Sequence, residues 1–406
     1  MTEISHDQGA LKRWVPIILI NVLVFLLLTT GIFYLTRDNT LGTDFYIYYT
    51  AGRNVMVNHL SPYDESVGRL SQMAILKHEA QPSEDQLRFV YPPYGLIPVL
   101  PLSGLPFPWA QAAWTAFILL TLHSILLFCF IDIPRWIPAT IFLSFPFFFG
   151  VLLGNLNMPV ISILLITAAR LPRLKRENRL KSTILGVLLA WATVKPQFSG
   201  FFILFFMLFA IKRRFWDFVI SFLLGVTGFL LVSFLITPNW ITQWLEMIRR
   251  YPSYTGSRMP ITPLLNLLFP DGGTTSYITV VFLAAGVLLW YFYRWWKGDF
   301  STLRLLALGA FIVYIFHPTG VSYEQMIFLF PFILFLFQDW KRSPGRSIIL
   351  WLLLVASSWF FFFLSLFHIW LDAAYYGLFL LYIIWLAVFL LTPESSLKLN
   401  SPEIPD

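Results

Sequence analysis

The feature that most constrains this chain is a succession of apolar runs, separated by short basic clusters, along almost all of its 406 residues. About twenty apolar residues suffice for a helix to cross the hydrocarbon core of a bilayer. In lipid only helices and closed barrels satisfy every backbone amide internally. Runs bounded by charge, proline or glycine lie near 15–36, 109–131, 136–153, 157–170, 182–194 and 197–211 in the first part of the chain. They continue near 215–236, 275–294, 303–316, 323–338, 347–367 and 373–391. The reading is an all-α, polytopic transmembrane protein of about twelve spans. Several runs, such as 182–194, fall short of a free-standing span and are expected to be re-entrant or broken.

Composition agrees. Charged residues make up 12% of the chain and hydrophobic ones 58%, whereas a soluble domain carries roughly a quarter charged residues. The 16 Trp and 42 Phe suit helices anchored at both headgroup layers. The single cysteine, Cys129, excludes a disulfide framework and a cysteine-based metal site. A net charge of +7 does not point to nucleic acid, because the basic residues lie between spans rather than in one patch. The first run follows Lys12 and Arg13 and has no small-residue cleavage site behind it, so it reads as a retained helix.

Basic residues concentrate in 170–181, 212–214, 294–304 and 341–346. The positive-inside rule puts these loops and both termini in the cytoplasm, which requires an even number of spans. Residues 1–392 then form one membrane domain, and 393–406, rich in Ser, Pro and Glu, a disordered cytoplasmic tail. Two long loops face the other side, 37–108 and 238–273. The first, roughly seventy residues long, exceeds what a simple connection needs. It reads as two amphipathic surface helices: 45–57, with Tyr46, Tyr49 and Arg53 on one face, and 66–79.

The candidate chemical residues come from widely separated segments, and span parity puts all of them on the extracytoplasmic face. Asp44, in GTDFYIYY, reads either as a helix cap or as a general base whose pKa rises beside lipid. Lys195, in TVKPQ with Gln197, is either a snorkelling lysine or an anion contact. His317 suits a phosphate oxygen, whereas no second histidine lies at metal-ligand spacing. Tyr323 and Glu324 follow it; for Glu324 the plainer reading is a helix cap. Asn155 and Asn157, in GNLN, are sufficiently explained by a turn. Tyr91 lies in an extended break, VYPPYG. Arg258, between Gly256 and Pro260, has the reach for a phosphate. No P-loop and no dinucleotide fingerprint occurs, so nucleotide cofactors have no support.

The segments GTDFYIYYTAGR with SPYD, FVYPPYGLIPVLPL, GNLNMPVISILLITAA, ILGVLLAWATVKPQ and HPTGVSYEQMIFLFPFILFL, in this order, resemble the GT-C glycosyltransferases, specifically family 87, the polyprenol-phosphate-mannose-dependent mannosyltransferase-like proteins. The resemblance implies a GT-C fold with a catalytic Asp in the large first outer loop, here Asp44. It implies an inverting transfer without metal or cofactor, from a polyprenyl-phosphate-linked hexose to a lipid or polysaccharide acceptor. Lys195 and His317 match positions near the donor phosphate, and Arg258 is added as a further contact. Tyr46, Tyr91, Asn155, Asn157, Gln197, Tyr323 and Glu324 are the expected substrate-binding residues. The chain departs from the family pattern in having Asn155 where many relatives carry glutamine, and in lacking a histidine pair near 317–325. A lipid-linked-sugar polymerase or ligase and a flippase are the competing readings; the former places its large loop late in the chain, whereas here the longest is the first.

Overall fold

A computed structural model describes residues 4–129, 134–255, 259–270, 273–369 and 373–392. Among the described residues there is no strand. The α-helices in chain order are α1 (Ile4–Thr36), α2 (Thr43–Met56), α3 (Glu65–Ile75), α4 (Phe107–Cys129), α5 (Trp136–Ala139) and α6 (Phe145–Leu153). They continue with α7 (Asn157–Arg170), α8 (Arg179–Trp191), α9 (Pro196–Lys212), α10 (Trp216–Ile236), α11 (Trp240–Thr255) and α12 (Thr262–Leu268). The last are α13 (Gly273–Lys297), α14 (Thr302–Ile315), α15 (Met326–Trp340), α16 (Pro344–Leu366) and α17 (Ala373–Leu391).

Every anticipated apolar run is helical, but the helices differ in kind. Five of those described, α1, α4, α10, α13 and α16, are long and apolar enough to cross a membrane unaided. Their outward faces remain apolar and uncovered, as at Leu19, Leu23, Leu27, Leu224, Phe282 and Leu353, which is how a helix meets lipid. Helices α7, α14 and α15 are short, 14, 14 and 15 residues. At ~1.5 Å per residue each falls well below the ~30 Å hydrocarbon thickness. They are instead the best-covered helices: Leu164, Leu165, Ala307, Phe328 and Phe330 are buried, and α7 packs on α4, α9 and α15. Non-helical backbone at their ends therefore lies against protein, the condition under which such breaks are tolerated at membrane depth.

The run at 136–153 is not one helix. It divides into α5, a 3₁₀ turn at Ile141–Leu143 and α6, with Ser144 extended at ψ 134° ahead of Pro146. The freed backbone groups are recovered by a neighbour: Ser358 Oγ accepts from the Phe145 amide at 3.0 Å, and Trp359 Nε1 donates to the Leu143 carbonyl at 2.6 Å. Helices α8 and α10 approach so closely that a Cβ on Gly186 would stand 2.5 Å from the Phe218 carbonyl, the small-residue packing common between membrane helices.

The long connection between α1 and α4 carries α2 and α3, as its amphipathic pattern predicts. It is tied down at both ends of its path. Gln111 Oε1 on α4 accepts from the amides of Leu41 and Gly42 at 2.9 and 3.0 Å, which sets the start of α2. Trp191 Nε1 donates to the Tyr94 carbonyl at 3.3 Å, and Trp244 Nε1 donates to the Val90 carbonyl at 3.1 Å. Asp44 thus leaves the loop in a defined direction, in the first turn of α2. The turn after α6 presses on that helix: Gly154 has φ +68°, and a Cβ there would lie 2.7 Å from Phe45 Cβ. Gly154→Ala is expected to destabilise the protein by about 1–3 kcal/mol through overpacking and the left-handed backbone. A lowered thermal midpoint of the purified variant is the check.

Candidate functional site

Three inter-helix turns and the start of α2 meet at one end of the bundle, and each delivers one or two polar groups. The first turn joins α6 to α7. Asn155 Oδ1 accepts from the Asn157 amide at 2.8 Å, the local turn bond that its position predicts. That bond leaves the Asn155 amide group to donate to Asp44 Oδ2 at 2.6 Å. Asn155 is therefore both a turn residue and a bridge.

The second turn, between α8 and α9, holds Lys195. A 3₁₀ turn at Ala192–Val194 ends on it and Pro196 starts α9, so Lys195 cannot remain in regular helix. Its side chain runs inward and is 2% exposed. The ammonium donates to Glu324 Oε1 at 2.6 Å. Burial of Glu324 is equally complete, at 1%. The third connection, between α14 and the 3₁₀ turn Ser322–Gln325, supplies Glu324 and His317. The other oxygen of Glu324 accepts from Asn157 Nδ2 at 2.8 Å and faces His317 Nε2 at 3.4 Å.

One continuous chain results: Lys195 to Glu324, Glu324 to Asn157, Asn157 to Asn155, Asn155 to Asp44. The capping readings fail for both acids. The N-cap of α2 is Gly42, without a side-chain cap bond, and the Asp44 carboxylate turns to Asn155 instead. Glu324 is spent on Lys195 and Asn157. Nδ1 of His317 lies 3.4 Å from the amides of Thr319 and Gly320, both of which can only donate. Nδ1 is therefore the acceptor nitrogen and the proton sits on Nε2, toward Glu324. Burial holds His317 well below the ordinary histidine range, at about 4, against the opposing pull of Glu324. The imidazole is neutral near pH 7.

Asp44 differs from the rest of the chain in remaining half-buried. It sits deep among protein atoms yet keeps contact with solvent. Burial pushes its carboxyl up to about 6, opposed by the Asn155 hydrogen bond and the Lys195 charge and reinforced by Asp85 and Glu324. That value suits a group that takes a proton near neutral pH. Tyr48 and Tyr91 stand beside it, their rings 5.6 Å apart and edge-on, and Tyr323 lies under the Lys195 ammonium, 5.7 Å from the ring centroid.

The structure thus brings together Asp44, Tyr91, Asn155, Asn157, Lys195, His317, Tyr323 and Glu324. Tyr46 lies elsewhere: its ring packs on Phe107 at 4.6 Å, beside Tyr49, on the flank of α2 that also carries Arg53. Gln197 is exposed in the first turn of α9. Arg258 lies outside the described residues, as does the tail from 393. Sequence reasoning missed Tyr48, Asp85 and Tyr251, all within electrostatic range of Asp44. The aromatic and basic content of the second long connection was the available signal for Tyr251; Asp85 carried none. Among the described residues no three His, Cys, Asp or Glu side chains converge on a metal-sized site.

A helical membrane protein that holds one accessible carboxylate at the end of a buried polar chain has the makings of an enzyme that deprotonates a hydroxyl. The sequence matches the profile of glycosyltransferase family 87 over residues 89–318, more than half of the chain, and the protein belongs to that family. It is a glycosyltransferase, with a sugar donor and an acceptor as its partners. The matched region contains Tyr91, Asn155, Asn157, Lys195 and His317. No curated protein and no solved structure matches the chain significantly.

Breaking a buried ion pair from one side leaves an uncompensated charge. Lys195→Met and Glu324→Gln are each expected to destabilise the protein by about 3–5 kcal/mol. The double variant is expected to recover much of that loss. Denaturation of the four proteins in the same detergent checks the cycle.

Proposed function

We propose that this protein is an inverting glycosyltransferase that moves a hexose, mannose by family resemblance, from a polyprenyl-phosphate-linked donor to a lipid or polysaccharide acceptor. Asp44 is the general base. Its Oδ2 is committed to Asn155, so Oδ1 is the oxygen that takes the proton of the acceptor hydroxyl. That hydroxyl oxygen attacks the anomeric carbon as the bond to the phosphate oxygen breaks, and the polyprenyl phosphate leaves with both electrons. A single displacement inverts the anomeric configuration.

The observation that carries this reading is the asymmetric Asp44 carboxylate, half-buried and held by Asn155 at 2.6 Å, at the one accessible end of an otherwise buried chain. A carboxylate in ordinary solvent is too weak a base near neutral pH; one raised to about 6 is matched to the task. Lys195, with His317 beside it, is the cation positioned for the departing phosphate. A phosphate oxygen that shares the ammonium with Glu324 Oε1 leaves both carboxylate and ammonium paired throughout, so developing negative charge is met without a buried charge being left alone. Tyr91 and Tyr323 supply rings and hydroxyls around the sugar.

The basic clusters and span parity put this end of the bundle on the extracytoplasmic face, with both termini in the cytoplasm. A GT-C arrangement of about twelve spans accommodates the short helices, since α7, α14 and α15 are covered by neighbours. The donor then reaches the site from within the leaflet and the acceptor from the aqueous side.

Asp44→Asn is expected to lower transfer by about 10²–10⁴-fold with folding retained; unchanged transfer would remove the mechanism. The base form of Asp44 prevails above its pKa, so kcat/KM is expected to fall about tenfold per pH unit below about pH 6. Asn155→Ala removes the hydrogen bond that holds the Asp44 pKa down, and the acid limb is expected to move to higher pH. A pH profile of wild type and variant measures both effects.

A further inference from the structure

The segment between α10 and α13 carries an apolar surface that neither the bundle nor the mechanism uses. Successive side chains of a helix turn by about 100°, and those of α11 sort into three flanks rather than two. Trp240, Met247 and Tyr254 are buried on one flank, with Trp244 half-buried beside them. Thr242, Arg249, Arg250 and Ser253 are exposed on another, where Glu246 pairs with Arg250. Between the two runs a stripe of Ile241, Leu245 and Ile248, at i, i+4 and i+7, and it too is exposed. A helix on the surface of a soluble domain needs only a buried flank and a polar one. The third flank calls for an apolar medium other than protein.

Helix α12 extends this surface. Leu264, Leu267, Leu268 and Phe269 are exposed, Leu267 at 76%. Hydrogen bonds hold both helices at the Asp44 end of the bundle. Trp244 Nε1 donates to the Val90 carbonyl at 3.1 Å, next to Tyr91, and Ser61 Oγ donates to Gln243 Oε1. The Ile261 amide donates to the Ile315 carbonyl at 3.2 Å, two residues before His317. The stripe is also continuous with surface that meets lipid. Helix α10 ends with Leu231 and Leu235 exposed, and Phe234 in its last turn meets Trp240 of α11 at 5.8 Å. Helix α13, the span that follows, carries Ile278 and Phe282 exposed near its start. A segment pinned between two spans at this level cannot stand clear of the bilayer.

We propose that α11 and α12 lie in the leaflet at the Asp44 end of the bundle, with Ile241, Leu245, Ile248, Leu264, Leu267 and Leu268 among the acyl chains. The partner is the phospholipid surface itself. A helix of this kind buries its apolar flank about 5–10 Å into the boundary between headgroups and acyl chains. Arg249, exposed on the adjoining flank, is then level with the lipid phosphates. The connection that carries Tyr91 and the turn that carries His317 are thereby tied to the bilayer as well as to the bundle. This placement is independent of the role of Asp44 as a base.

The test uses the full chain with Cys129→Ala and one new cysteine at a time: Leu245→Cys, Leu267→Cys or Arg250→Cys. Each is labelled with the polarity-sensitive dye nitrobenzoxadiazole and placed one copy per phosphatidylcholine nanodisc. Labels at positions 245 and 267 are expected to emit to the blue of the label at 250. They are expected to lose intensity when the lipid carries a nitroxide near the headgroup end of an acyl chain, and to lose less when it sits near the terminal methyl. The label at 250 is expected to keep water-like emission and to be quenched least. Ile248→Cys and Leu268→Cys replace any variant whose thermal midpoint falls. The proposal is overturned if the labels at 245 and 267 report water, or if the deep nitroxide quenches them more than the shallow one. A blue shift without quenching by lipid overturns it as well, since protein then covers the stripe. So does a shift seen only in discs loaded with two copies, since the partner is then a second copy of this chain.

Discussion

The site depends on the buried ion pair of Lys195 and Glu324. Removing two such charges from water costs several kcal/mol for each ion, and only close geometry with further hydrogen bonds offsets it. Here the contact is 2.6 Å, and Asn157 donates to the second carboxylate oxygen at 2.8 Å. The partners come from three different connections between helices. The pair therefore does more than hold itself together, because it dictates how the turns at 154–157, 192–195 and 317–325 stand relative to one another.

Through Asn157 that arrangement reaches Asp44, the proposed base. The Asn157 amide orients Asn155, and Asn155 orients Asp44, so one carboxylate oxygen is taken and the other is left open. Because Glu324 neutralises Lys195 and His317 is neutral, the buried part of the chain carries no net charge. Asp44 can then be raised by burial without being pulled back strongly by an exposed cation. The proposed transfer needs this balance, a base strong enough to take a hydroxyl proton and a setting poor in water, which is the competing acceptor.

Much of this was legible in the sequence. Helices stand at every apolar run, and Asp44, Asn155, Lys195, His317 and Glu324 stood out because polar residues adjoining apolar runs are costly unless partnered. The local readings of the two acids as caps were plausible by sequence and wrong by geometry, since a cap bond and a long-range bond compete for the same oxygen. Tyr46 shows the converse. Helical spacing correctly put it with Tyr49 and Arg53, and that face turned out to lie on Phe107. Asp85 was invisible because a charged residue in a polar loop is the commonest of sequence features.

Sequence by itself determined where the chain is helical and that it belongs in a membrane, because apolar burial and backbone satisfaction in lipid act residue by residue and accumulate along a run. Tertiary structure decided which helices are covered, where the run at 136–153 breaks, and which polar groups meet. Hydrogen bonds and ion pairs form between partners far apart in the chain, 111 residues for Asn155 with Asp44 and 129 for Lys195 with Glu324. Their strength depends on ångström-scale distance and local desolvation, and neither quantity leaves a trace in the residues on either side.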